Sequence, residues 1–105
     1  MGITSGHDDV GFSLKLVGEL VKENVRAFIE EVVKVPTGTP ETLRLDMAEV
    51  PSIDSSGLGA LILVHKRWKK RAEPVCLVNL EPSVESVLST TGLLAHFKVQ
   101  SEGES

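Results

Sequence analysis

Three times along this chain the apolar positions change from the period of a strand to the period of a helix, and that change limits the fold more than any other feature. Phe12-Ser13-Leu14-Lys15-Leu16-Val17 alternates apolar and polar before Gly18, as a strand with one wet face does. Ile3-Thr4 is read as the start of a short partner strand, with Asp8-Asp9 and Gly11 as the turn. Val21, Val25, Phe28, Ile29 and Val32 then recur at helical spacing, opposite Lys22, Glu23, Arg26, Glu30 and Lys34. Pro36, Gly38 and Pro40 end that helix. Leu43-Arg44-Leu45-Asp46 returns to alternation, and a loop from Met47 to Ile53 follows.

Leu58, Leu61, Ile62 and His65 mark the inner face of a second helix, with Trp68 near the same stripe and Pro74 as its stop. Val75 to Asn79 reads as a buried strand. Pro82 suits the first turn of a third helix, whose inner face is Val84, Val87, Leu88 and Thr91 and whose C-terminal cap is Gly92. His96, Phe97 and Val99 give a last short strand before a polar tail at about residues 100–105. Strands alternating with helices require crossover connections, so the class is α/β with a largely parallel or mixed sheet. The 105 residues suit one domain.

With hydrophobic residues at 41% and aromatics at only 4%, the core is expected to be aliphatic. The net charge of −4 gives no broad cationic field, so nucleic acid is not an expected partner. One basic cluster, Lys66-Arg67-Trp68-Lys69-Lys70-Arg71, falls at a helix end, where cations offset the macrodipole. Cys76 is the single cysteine, which excludes an intramolecular disulfide and suits a small packed hydrophobe. No apolar run is long enough to span a bilayer and the N-terminus has no secretory pattern. A cytoplasmic protein without direct membrane insertion is expected; the sequence leaves its oligomeric state open.

Enzymatic signatures are missing where they would be needed. Ile53 stands two positions before Ser55, where a nucleophile elbow requires glycine. His7, His65 and His96 are scattered without metal-ligand spacing, so no metal is expected. Gly57-Leu58-Gly59 lacks the later glycine and the Lys-Ser/Thr ending of a phosphate loop, and no cofactor is expected. The stretch that asks for an explanation is Ile53-Asp54-Ser55-Ser56-Gly57-Leu58-Gly59. Asp, Ser and Gly all favour helix N-termini, so capping explains part of it. Yet one cap suffices, and here three candidates precede two helix-weakening glycines.

A phosphoacceptor explains both. A first-turn hydroxyl is exposed, and glycines leave room for another protein's active site. A phosphate would lie near free backbone N–H groups. Its charge of about −1.5 to −2 would arise beside Asp54 and Asp46.

At this motif the chain resembles the STAS domain family of bacterial anti-sigma factor antagonists. Phe12 to Leu20, ending Gly18-Glu19-Leu20, resembles a family strand with its G-E-L signature. Leu45 to Val50 followed by Ile53 to Gly59 resembles the central strand, loop and phosphorylation motif. Val75 to Asn79 with Pro82, Val84, Leu88, Gly92 and Leu93 resembles the fourth strand and third helix. The resemblance implies a sandwich with a mixed sheet of four to five strands and helices on one side. It implies Ser55 as acceptor, with Glu19, Asp46, Asp54, Ser56, Gly57, Leu58 and Gly59 in the partner surface.

It also implies the partners: a serine kinase that is itself the anti-sigma factor, and a serine phosphatase. Unphosphorylated chain would bind the kinase and phosphorylated chain would leave it. Val21 stands where family members often carry aspartate, Ser52 where many carry an aromatic residue, and little chain follows Val99 for a terminal helix. The other reading is a STAS-type interaction subunit of a membrane-associated transport assembly, of the lipid-transport ATPase type, with the motif as a constitutive docking patch. A third, an enzyme or small-ligand binder, would require turnover by the chain alone.

Overall fold

Alternation turns Phe12, Leu14 and Leu16 of β2 (Gly11–Val17) to one side and Ser13, Lys15 and Val17 to the other, and the sheet grows from that strand. The computed structural model describes residues 1–9, 11–36, 42–68 and 74–101. β1 (Gly2–His7) pairs antiparallel with β2, from Gly2↔Val17 to His7↔Phe12. The turn between them has Asp8 and Gly11 bonded in both directions: the Asp8 N–H donates to the Gly11 carbonyl and the Gly11 N–H to Asp8 Oδ1.

α1 (Lys22–Lys34) crosses to β3 (Thr42–Glu49), which runs parallel to β2, with Leu14 beside Leu45. α2 (Ser55–Trp68) crosses to β4 (Cys76–Val78), and α3 (Pro82–Thr90) with a 3₁₀ turn (Leu93–His96) leads to β5 (Lys98–Gln100). Both later strands are parallel to their neighbours, and the sheet order is β1-β2-β3-β4-β5. Successive crossovers advancing in one direction carry their helices to the same side. The core between the layers is one cluster: Leu14, Leu16, Leu43, Leu45, Met47 and Leu77 meet Phe28, Val32, Leu61, Val64, Val84 and Leu88. The aliphatic composition thus produces an aliphatic core, and Cys76 is packed within the sheet at 5% exposure.

Several sequence expectations shift. β3 continues through Met47, Ala48 and Glu49, because Val17 still pairs with Glu49; the following loop begins at Val50. The buried stripe of α2 is Gly57, Ala60, Leu61, Val64 and Trp68, while Ile62 is 40% exposed. On α3 only Val84 and Leu88 are buried, and Val87 and Thr91 face outward. The strand expected over Val75 to Asn79 is Cys76–Val78, ending at Asn79 with φ 59°. His96 belongs to the 3₁₀ turn and not to β5. Gly92, at φ 76°, supplies the left-handed residue that ends α3. Gly38, Pro40, Lys69 to Arg71 and the end of the polar tail lie outside the described residues.

Candidate functional site

The motif spans the junction where the loop after β3 becomes α2, and a single carboxylate organises it. Asp54 Oδ1 accepts the Gly57 N–H at 2.9 Å, and the Asp54 carbonyl accepts the Leu58 N–H at 2.9 Å. Asp54 is therefore the cap of α2 and Ser55 its first helical residue. The second oxygen, Oδ2, accepts the Lys22 N–H at 3.1 Å, at the start of α1. Val21, the residue before α1, has no side chain that can cap. One aspartate thus serves two helix starts, through a contact between residues 32 positions apart that no local pattern reveals.

These bonds also fix the charge. Chiefly the Gly57 N–H, with help from the N–H groups of Lys22 and Ser56, holds the Asp54 carboxyl below its ordinary value of 3.8; partial desolvation opposes them less strongly. A lowered folded-state pKa means that the folded chain binds fewer protons, so this contribution is present above 3.8 and fades as pH falls through the lower value. Asp54→Asn keeps an acceptor but not the charge. Its melting temperature should lie below wild type at neutral pH, with the gap closing under acid conditions below 3.8. Thermal melts of both proteins across that range check it; a gap that is constant with pH would refute the charged cap.

The two glycines do different work. A Cβ on Gly57 would overlap the Leu20 carbonyl oxygen and stand 2.7 Å from Ile53 Cγ1, so this glycine lets α2 press against the segment entering α1. Gly57 is buried and is not part of an open approach path. Gly59 is exposed, with nothing within 4 Å of where a Cβ would stand. Gly59→Ala should accordingly stabilise the fold by about 0.5–1 kcal/mol through helix propensity alone. Chemical denaturation measures this; a loss of stability would show that Gly59 is needed for the fold.

Around the motif, the segment from Gly18 to Lys22 is laced to residues 49–54. The Gly18 N–H donates to the Glu49 carbonyl at 2.9 Å, Leu20 N–H to the Ser52 carbonyl at 3.0 Å and Asp54 N–H to the Leu20 carbonyl at 3.3 Å. Ser52 Oγ donates to Glu19 Oε2 at 2.6 Å, so the residue in the often aromatic position makes a polar link. Glu19 and Asp54 are therefore both tied into these laced segments, with Ser55 exposed at the start of α2, Ser56 half-buried and Leu58 packed against the core. Asp46 does not join them. It lies on the helix-free face with Ser13, Lys15 and Arg44, and its Oδ1 accepts the Ala48 N–H at 3.1 Å.

Sequence reasoning missed Lys22, whose backbone N–H carries the contact, and Ser52, whose hydroxyl would have been a signal only beside an acceptor. The histidines are less scattered than their numbers. The His65 and His96 rings lie 4.6 Å apart with their planes tilted, while His7 stacks on Phe12 at 4.2 Å. Among the described residues no group of three or more His, Cys, Asp or Glu could hold a metal, and no helix is long and apolar enough to cross a membrane.

The family model for the STAS domain matches residues 3–104. A Thermotoga maritima chain assigned as an anti-sigma factor antagonist superposes with TM-score 0.77 at 26% identity, covering 93% of this chain and 85% of that one. The Bacillus cell fate determinant SpoIIAA, in its phosphorylated form, gives TM-score 0.69 at 19% identity, over 96% and 93%. A sulfate transporter family protein of Wolinella succinogenes gives 0.71 at 23%, over 84% and 74%.

Proposed function

The chain belongs to the STAS domain family, and from that premise we propose that it is an anti-sigma factor antagonist working as a partner switch. Ser55 is the phosphoacceptor. The unphosphorylated chain binds a serine kinase that is itself the anti-sigma factor, phosphorylation releases it, and a serine phosphatase resets it. The chain is a substrate and supplies no catalytic group, and the cycle runs in the cytoplasm. The observation that supports this reading is the division of labour at the motif. Asp54 does the capping, which leaves the Ser55 hydroxyl exposed and unneeded for the helix start. Glu19, Ser56, Leu58 and Gly59 surround it as the partner surface, with Gly57 setting the height of the helix beneath. Asp46 has no part in that surface in this geometry.

The test is intact-mass measurement of the chain recovered from its native cell, alone and in complex. The free form is expected to carry one phosphate, the bound form none, and Ser55→Ala no phosphate in either. Phosphate retained on Ser55→Ala would overturn the assignment. The likeness to a sulfate transporter family protein favours a second reading, in which the same surface is a constitutive docking patch in a membrane-associated transport assembly, of the lipid-transport ATPase type among others. Recovery with a membrane transporter, always unphosphorylated, would distinguish it.

A further inference from the structure

The fold brings together two histidines that lie 31 positions apart. His65 projects from the third turn of α2 and His96 from the end of the 3₁₀ turn; their ring centroids are 4.6 Å apart with the planes tilted by 35°. They flank an open groove of about 420 Å³ between α2 and the Thr91–Leu93 turn. Phe97 contacts His65 edge-on, at 6.0 Å between centroids, so that ring is backed by the core while its edge borders the groove.

We propose that His65 and His96 form a binding site for one divalent late-transition ion of the copper, nickel or zinc type. With a metal–nitrogen bond of about 2 Å, an imidazole centroid lies about 3.2 Å from its ion, so a separation of 4.6 Å matches ligands about 90° from each other once a nitrogen of each ring turns to the ion. That is the cis angle of square-planar or octahedral sites, which Cu²⁺ and Ni²⁺ favour over tetrahedral Zn²⁺. Imidazole is the ligand these ions share, and the open groove leaves their other positions to water. Each ring has two nitrogens, so His65 can keep a hydrogen bond through one while the other ligates. Lys66 also lines the groove, but its long stem lets the ammonium remain in water. The bound ion would clamp the later half of α2 to the turn that leads into β5.

The test is calorimetric titration of the untagged chain with Ni²⁺, Cu²⁺ and Zn²⁺ separately. One ion per chain is expected, bound most tightly for Cu²⁺. His65→Ala and His96→Ala should each weaken binding at least about ten-fold, the lower bound of what even an outer-shell partner contributes. His7→Ala, on the far strand β1, should leave it unchanged. Saturable binding unaffected by either of the first two variants, loss of binding in His7→Ala, or no saturable binding by wild type would each overturn the proposal. His96 is exposed, so its variant keeps the fold and the test decisive. Circular dichroism checks His65→Ala, with His65→Gln in its place should it unfold.

Discussion

Replacing Gly57 with alanine should destabilise the protein by about 2–3 kcal/mol, the largest loss expected from adding one methyl group anywhere in the motif. A side-chain movement alone cannot relieve the new Cβ. It meets the Leu20 carbonyl oxygen, which is backbone, and Ile53 Cγ1 at 2.7 Å. The Leu20 carbonyl is itself held, since it accepts the Asp54 N–H, and the Leu20 N–H is bonded to the Ser52 carbonyl. Relief therefore requires moving the start of α2 away from the segment entering α1. That displacement stretches both bonds of the Asp54 carboxylate, to Gly57 and to Lys22. Alanine returns about 1 kcal/mol in helix propensity, which the overlap outweighs.

For a domain of this size the net loss lowers the melting temperature by on the order of 10–20 °C. The matched comparison is Gly59→Ala two residues on, where open space gives the opposite sign. Thermal or urea unfolding of the two variants side by side is the measurement. Equal effects would mean that Gly57 does not hold the two segments together.

That pair of glycines shows where sequence reading stops. The order of elements followed from periodicity, because Leu14, Leu16, Leu43 and Leu45 alternate with polar residues and Phe28 and Val32 sit on a helical stripe. The phase of α2 could not follow. Leu61-Ile62-Leu63-Val64 is apolar throughout, so a stripe through Leu58 and Ile62 is as regular as the actual one through Gly57, Leu61, Val64 and Trp68. What selects the phase is the close approach of Gly57 to Leu20, a contact between residues 37 positions apart. The end of β3 was hidden for a related reason, since Glu49 is held in the sheet by Val17 and not by its own propensity.

The candidate site divides in the same way. The cap at the start of α2 and the first-turn place of Ser55 and Ser56 were legible because they are local, and Glu19 was picked out only by its motif. Asp54 spanning to Lys22, Ser52 reaching Glu19 and Asp46 turning to the other face are all decided by tertiary packing.

Under the proposed partner switch, phosphorylation of Ser55 should weaken binding to the kinase by at least about a hundred-fold. The sequence suggested that a phosphate would settle against free N–H groups at the start of α2. In the structure those of Gly57 and Lys22 are already committed to Asp54, which stays anionic over the physiological range. The added charge of about −1.5 to −2 thus arises next to the Asp54 carboxylate, and the Gly57 and Lys22 N–H groups that would offset it are already taken. A surface matched to the neutral serine then meets like charge, which costs several kcal/mol at an interface, and about 1.4 kcal/mol corresponds to each ten-fold step.

Ser55→Ala, which leaves the Asp54 cap intact, should bind within about three-fold of wild type, a difference of well under 1 kcal/mol. Ser55→Asp, with one charge and a shorter reach, should lose about ten- to hundred-fold. A refolding mechanism predicts something else, because it would have to change the stability of the chain itself. An acidic residue in the first turn of a helix is favourable by about 0.3–1 kcal/mol, so Ser55→Asp should melt at or slightly above the wild-type temperature. Lost affinity with unchanged melting places the switch in the interface; lost affinity with a lowered melting temperature would place it in the fold.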